Sequence, residues 1–257
     1  MLVEHTLFGV RDKVETAIER LKTFEPAEGY YVAFSGGKDS CVILDLVRRS
    51  GCKYDAHYNL TTVDQPELVY FIKTFKDVRI EKSDKTMWDL IVEKNMPPTR
   101  LIRFCCERLK ERGGTGRHVV TGVRWSESTR RSKRRMAEVC KTDKTKRFLH
   151  VIIDWTDEDV WEYIHENDLK YCKLYDEGYK RLGCIMCPMK GQVGMKEDAE
   201  RYPKYYQAYI RALQRVVEKQ REGEGTEKRE SGQAYMDWWI NNTSKQDAFK
   251  DELGLYC

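Results

Sequence analysis

No stretch of this 257-residue chain is apolar and long enough to suggest a membrane-crossing helix. The start, Met1-Leu2-Val3-Glu4-His5, lacks the basic-then-apolar layout of an export signal, so the expectation is a cytoplasmic protein without a membrane partner. Internal repeats and low-complexity tracts are missing too, which speaks against repeat architectures. A strong charge of one sign is also lacking: 46 Lys and Arg against 42 Asp and Glu leave a net charge of +4, although 34% of the residues are charged. Global charge therefore says little about partners, and local clusters say more. The nine cysteines would meet a reducing compartment, which argues against a disulfide framework. Clustered cysteines are read as metal ligands or redox groups, and the isolated Cys41, Cys52, Cys140 and Cys172 as packing residues.

What is present is organised around Tyr30-Tyr31-Val32-Ala33-Phe34-Ser35-Gly36-Gly37-Lys38-Asp39-Ser40. An apolar, β-favouring run meets two glycines, and a helical pattern follows at once with Val42, Leu44, Leu46 and Val47. Strand, tight loop and helix in this order make an anion cradle, in which Gly36 and Gly37 free backbone donors, Lys38 adds charge, and Ser35 and Ser40 add hydroxyls. Asp39 reads as a group that orients the loop or a metal. The spacing is not that of a Walker loop, which needs four residues between its first glycine and its Gly-Lys pair. A plain Gly-Gly turn is the bland alternative.

Along the rest of the chain, residues 6–24 carry apolar residues at helical spacing and predict an amphipathic helix. A strand is expected over 53–60, followed by a helix over 68–74 with Asp64 as its cap. Further strands are expected at 78–80, 118–121 and 151–154, with helices at 86–94 and after the Thr156–Asp159 capping pair. Repeated strand, turn and helix without hairpin dipeptides predicts an α/β fold, a doubly wound, mostly parallel sheet with helices on both faces. The chain fits a main domain over 1–220, a linker over 221–234 and a docked helical appendage or tail over 235–257. In such a sheet the residues past strand ends face the ligand crevice, which makes Asn59, Thr61, Thr62 and Asp64 candidate contacts, with helix capping as the alternative. Arg124 follows a strand end in the same way, and its planar fork suits a phosphate or sulfate. The run 124–147 is densely basic and reads either as a solvated face or as a nucleic-acid contact. Trp155 and Trp161 read as core aromatics.

Cys184 and Cys187 have the two-residue separation at which a turn aims both sulfurs at one ion, and Cys105 with Cys106 completes a set of four. Adjacent ligands diverge by roughly a hundred degrees on a regular helix, so the backbone at Cys105-Cys106 must be irregular. An iron–sulfur cluster, a structural zinc ion and redox thiols are the three readings, and Pro188 after Cys187 leans toward the first.

Ser35 to Ser40, Cys105-Cys106 with Lys110, Gly122-Val123-Arg124 with Glu127, Ser128 and Arg131, Asp154-Trp155-Thr156 with Val160-Trp161, and Cys184 with Cys187 together resemble the phosphoadenylylsulfate (PAPS) reductase family of PP-loop proteins. The resemblance spans roughly residues 30–189 and is closest to the iron–sulfur branch. It implies an adenine nucleotide alpha hydrolase-like fold and a [4Fe-4S] cluster on Cys105, Cys106, Cys184 and Cys187. It also implies a bound ATP, PAPS or adenylylsulfate (APS) near Thr61, Asp64, Gly122, Arg124, Glu127 and Arg131, and a thiol or protein donor of electrons or sulfur. Lys38, Arg124 and Lys110 are the catalytic candidates, Lys110 lying between cluster and anion. Two departures stand out. The reductases' Glu-Cys-Gly-Leu/Ile-His tail is matched by Glu252-Leu253-Gly254-Leu255-Tyr256, which makes the late Cys257 the candidate nucleophile, and Leu109 stands where those reductases carry arginine. The same core resembles ATP pyrophosphatases, including those of DNA phosphorothioation, which need Mg2+ and no such tail. Either a single chain or an oligomer fits.

Overall fold

The computed structural model of the chain describes residues 1–6, 9–224 and 229–242. Its first element corrects the sequence reading of 6–24. An antiparallel ribbon of β1 (Val3–Thr6) and β2 (Gly9–Asp12) comes first, and helix α1 occupies only Lys13–Thr23. The start is set by Asp12, whose carboxylate accepts the Val14 and Glu15 N–H groups at 2.7 and 3.0 Å. Helical spacing of Val10 with Val14 had concealed this boundary.

The main sheet is built from β3 (Tyr30–Ala33), β4 (Tyr54–Leu60), β5 (Val78–Lys82), β6 (His118–Val120), β7 (Ala137–Val139) and β8 (Arg147–Leu149). Its spatial order is β5-β4-β3-β6-β8-β7, with every pairing parallel except that of β7 with β8. Val32 lies between Ala56 on one side and Val120 on the other, which fixes β3 at the centre. The chain leaves β3 toward β4 and β5 and later returns to β6 on the opposite flank. The crevice above the C-terminal ends of β3 and β6 is therefore the topological switch point.

Helix α2 (Lys38–Ser50) follows β3, buries Val42, Ile43, Leu44, Leu46 and Val47, and ends at Gly51 in the left-handed region. Next come α3 (Pro66–Ile72) and α4 (Met87–Lys94), the latter closed by a reciprocal Thr86–Asp89 capping box. Asp64 does not cap α3. Gln65 holds that position ahead of Pro66, and the Asp64 carboxylate instead accepts the Thr61 N–H at 2.7 Å. Nor do residues 151–154 form a strand. They are turns in which Val151, Ile152 and Ile153 are fully buried, and the Ile153 carbonyl accepts the Trp125 N–H at 2.7 Å. A short run of buried β-branched residues has the same appearance in either conformation. Helix α5 (Asp157–Glu166) follows with the expected Thr156–Asp159 capping box.

Two cores result. The first joins α1, α2 and α5 to the sheet through residues such as Leu21, Val32, Leu44, Trp155 and Tyr163. The second gathers α4 with α6 (Gly191–Arg201), α7 (Pro203–Lys219) and α8 (Gly232–Asn242) around Leu90, Phe104, Met186, Tyr209, Leu213 and Trp239. The buried Trp239 indole donates to the Pro98 carbonyl at 2.7 Å, tying α8 to the loop after α4. Helix α8 begins inside the expected linker and contains the expected docking segment 235–240, whereas Cys257 and the rest of the tail lie outside the described residues. Among the described residues no helix is long and apolar enough to cross a membrane.

Candidate functional site

The loop after β3 is shaped by Gly36, whose φ of +71° favours glycine and where a Cβ would sit 2.7 Å from side-chain atoms of Leu68 and Ile72 on α3. Ser40 braces it, its hydroxyl accepting the Ser35 N–H at 3.2 Å and donating to the Gly37 carbonyl at 2.8 Å. The Ser35 hydroxyl donates to Ser40 Oγ at 3.3 Å. Gly37, the N-cap of α2, offers no capping side chain, so the first N–H groups of that helix face the crevice with their partial positive charge. One of them, on Lys38, donates to the Tyr175 hydroxyl at 3.0 Å.

Lys38 and Arg124, from the loops after β3 and β6, meet at the switch point, and both side chains are nearly inaccessible at 7% and 3% exposure. Lys38 Nζ lies 2.8 Å from Asp157 Oδ1 and 3.4 Å from Asp39 Oδ2. Arg124 donates through Nε to Asp39 at 2.7 Å, through Nη2 to Asp157 at 2.9 Å, and through Nη1 to Ser126 and the Trp155 carbonyl at 2.8 and 3.4 Å. Every nitrogen of the guanidinium is thus engaged, and Arg124 braces the two carboxylates rather than presenting an open fork. Burial opposes ionisation of Asp157, but Lys38 and Arg124 outweigh it and hold its pKa below the usual carboxylate range. Gly122 makes the assembly fit, since a Cβ there would stand 2.8 Å from the Asp39 Cβ. Glu127 accepts the Arg124 N–H at 3.0 Å and pairs with Arg131. Neither Asp157 nor Tyr175 was singled out from the sequence. Asp157 was hidden in a capping segment and Tyr175 in a tyrosine-rich stretch, and only tertiary packing brings them here.

The thiols gather one strand away, above β4. Cys105 leads into a single π-helical turn, Cys106–Lys110, which is the irregular backbone that adjacent thiols require. Cys184 forms an isolated bridge with Asp64, and its sulfur lies 3.6 Å from Thr61 Oγ1. Arg103 Nη2 donates to Cys106 Sγ at 3.0 Å. A hydrogen bond between the free Cys105 and Cys106 thiols drives the two titrations apart: Cys105 is raised by it and by burial, while Cys106 is lowered by it and by Arg103. Burial pushes Cys184 up to about 12 and also raises Cys187. Lys110 keeps solvent access, and its carbonyl accepts from Asn59 at 3.0 Å. Crowding pulls its pKa down, but Cys184, Asp64, Cys106 and Cys187 outweigh this and raise it. Thr62 is turned elsewhere, accepting the Met87 N–H at 3.0 Å. Among the described residues no group of three or more His, Cys, Asp or Glu side chains stands at metal-ligating geometry.

The basic run divides. Arg124 is buried, Arg131 pairs with Glu127, Arg134 with Glu138, and Lys146 donates to the Glu111 carbonyl at 3.0 Å, while Arg130, Lys133, Arg135, Lys141, Lys144 and Arg147 are exposed. Trp155 is buried in the first core, and Trp161 packs edge-on against Tyr171 and Tyr175.

A doubly wound sheet with a glycine-rich turn and a buried lysine at its switch point defines the class, an α/β protein of the nucleotide-binding type. Residues 29–190 match the phosphoadenosine phosphosulfate reductase domain, and the chain belongs to that family. An uncharacterised protein of Methanocaldococcus jannaschii is 30% identical over 194 residues, 71% of this chain and 47% of that protein. The adenosine 5'-phosphosulfate reductase of Oceanobacillus iheyensis is 28% identical over 174 residues, covering 60% of this chain and 69% of that enzyme. The chain spans about half the length of the M. jannaschii relatives it matches. In fold it resembles the phosphoadenylyl-sulfate reductase of Candida auris, solved as a phosphate complex, with a TM-score of 0.52 at 19% identity over 67% of this chain and 89% of the other.

Proposed function

We propose that the chain is an enzyme of sulfur chemistry that grips the phosphoryl end of an adenylyl nucleotide at Ser35 to Ser40 and works beside a sulfur-rich centre. The observation that carries this reading is the buried Lys38 at the open N-terminus of α2, one strand away from the contact of Cys184 with Thr61. Gly36 and Gly37 supply backbone donors, Lys38 and Arg124 the charges, and Asp39 braces Arg124 from below. Thr61 and Asp64 line the neighbouring strand end, with Gly122, Glu127 and Arg131 completing the opposite wall. The soft donor set of Cys105, Cys106, Cys184 and Cys187 would hold a [4Fe-4S] cluster. The π turn, the apolar second core around the thiols and the positive charges of Arg103 and Lys110 suit such a group. When bound it would supply polarisable, redox-active charge beside the substrate. Lys110, beside the thiols and Asp64, would balance the negative charge of the cluster and of a neighbouring anion.

In the reductive reaction a thiolate attacks the sulfur of PAPS or APS, the adenylyl phosphate leaves with the S–O electron pair, and a second thiol releases sulfite as a disulfide forms. Cys257 or a separate thiol donor would supply the nucleophile. A second reading is favoured by the two carboxylates at the cradle and by Leu253 in the tail: cleavage of ATP with Mg2+ to adenylate a small molecule or nucleic acid for thiolation. Paired assays separate the two. Sulfite from PAPS or APS with a thiol reductant supports reduction, pyrophosphate from ATP with Mg2+ supports adenylation, and neither product from any nucleotide would sink the proposal.

A further inference from the structure

Asp157 stands in an unusual place for a residue of the first turn of α5. Its side chain is 55% exposed, yet its Oδ1 sits 2.8 Å from Lys38 Nζ and 2.9 Å from Arg124 Nη2, the two buried cations of the switch point. Asp39 already gives each cation one carboxylate from below, at 3.4 and 2.7 Å, and itself is the less exposed of the two acids. Lys38 therefore has an inner counter-ion and an outer one, and the outer one lies on the solvent side. An oxyanion entering the cradle must approach the Lys38 ammonium from that side. It meets a carboxylate already there.

We infer that Asp157 is an internal stand-in for the bound phosphoryl group: its carboxylate neutralises Lys38 and Arg124 while the cradle is empty, and the incoming anion displaces it. The inference rests on the nucleotide reading of the loop and adds a positioning residue to it. Two buried cations with only one carboxylate between them would raise the cost of folding, so a removable acid keeps the empty protein stable. The arrangement sets the affinity lower than the cradle alone would give, because each binding event must break the Asp157 contacts. It also sets a direction of selectivity. A dianion or trianion such as pyrophosphate or a nucleotide phosphate gains more from two cations than a single carboxylate does, whereas a monoanion gains little over what Asp157 already provides.

The test compares the full chain with Asp157→Asn and Asp157→Ser, using inorganic pyrophosphate without divalent metal as the probe in titration calorimetry and thermal-shift measurements. Removing the charge is expected to lower the melting temperature of the empty protein and to tighten pyrophosphate binding roughly tenfold, so that the ligand restores more stability to the variants than to the parent. A merely structural role for Asp157 would lower stability and leave affinity equal or weaker, which overturns the inference while leaving the nucleotide reading intact. No binding of pyrophosphate or ATP by any of the three proteins overturns both. Should neither variant fold, carboxyl-13C NMR of aspartate-labelled parent protein decides. A shift of the Asp157 resonance on adding pyrophosphate, with Asp77 unmoved in its distant pair with Arg48, supports displacement, and an unmoved Asp157 refutes it.

Discussion

Gly122→Ala is the sharpest test of how the sheet positions the cradle. The added methyl carbon would lie 2.8 Å from the Asp39 Cβ, 3.1 Å from the Asp39 carbonyl carbon and 3.2 Å from its oxygen. Two of these three neighbours are backbone in the first turn of α2, so no rotamer change relieves them. Relief means sliding α2 away from β6, and overpacking of this kind costs about 1–3 kcal/mol. The slide would also stretch the 2.7 Å bond between Asp39 and Arg124, so anion affinity should fall together with stability. Urea denaturation reads the first effect as a lower midpoint at unchanged slope, and pyrophosphate calorimetry reads the second. Gly37→Ala is the control. Its Cβ would find Tyr175 Oη at 3.5 Å and Ser35 Oγ at 3.6 Å, ordinary contacts, and its φ is −75°. The expected loss there is about 0.5–1 kcal/mol, because alanine caps a helix less well than glycine. Equal stability and affinity for Gly122→Ala and the parent protein would refute the reasoning.

Three further outcomes are expected. Asp159 is fully buried, accepting Lys13 Nζ at 2.7 Å and the Thr156 N–H at 2.8 Å. Burial alone would raise its pKa, but Lys13, the Met1 amino group and the Thr156 N–H outweigh it and hold it at about 2. Its contribution is therefore full above the unfolded-state value of about 3.9 and is lost as pH falls through the folded-state value, so Asp159→Asn should flatten that part of an acid-unfolding curve. Trp239→Ala should cost about 3–5 kcal/mol in chemical denaturation, since it empties the centre of the second core and removes the bond to Pro98. On the proposed cluster reading, anaerobic addition of iron and sulfide should give the parent protein a visible charge-transfer absorption that Cys184→Ser abolishes and the isolated Cys52→Ser leaves in place, and no such absorption in the parent would refute that reading.

Legibility of the chain followed the range over which each signal acts. The strand–loop–helix at 30–50, the Thr156–Asp159 capping box and the irregular backbone at Cys105-Cys106 depend on residues within a few positions of one another, and the structure contains them. The ribbon before α1 escaped notice because Val10 and Val14 continue a helical period across Asp12, and the turns at 151–154 because burial was read as strand. Arg124 is legible as a cation at a strand end, but not the groups that fill its fork in the empty cradle, Asp39, Asp157, Ser126 and Trp155, which lie up to 85 positions away. No local pattern reports partners at that separation. The same limit concealed Tyr175, which reaches Lys38 across 137 positions.

The separation of the two cysteine pairs along the chain has a consequence for biogenesis. Translation at about 5–20 residues per second delivers Cys184 and Cys187 roughly ten seconds after Cys106. Throughout that interval the nascent polypeptide carries Cys105 and Cys106 with no companions, and the helical layer that will enclose them is still unmade. An oxidant in the cell therefore meets Cys105 and Cys106 before the second cysteine pair and the later helices that half-bury them exist, so the order of synthesis exposes the first pair more than the completed protein does.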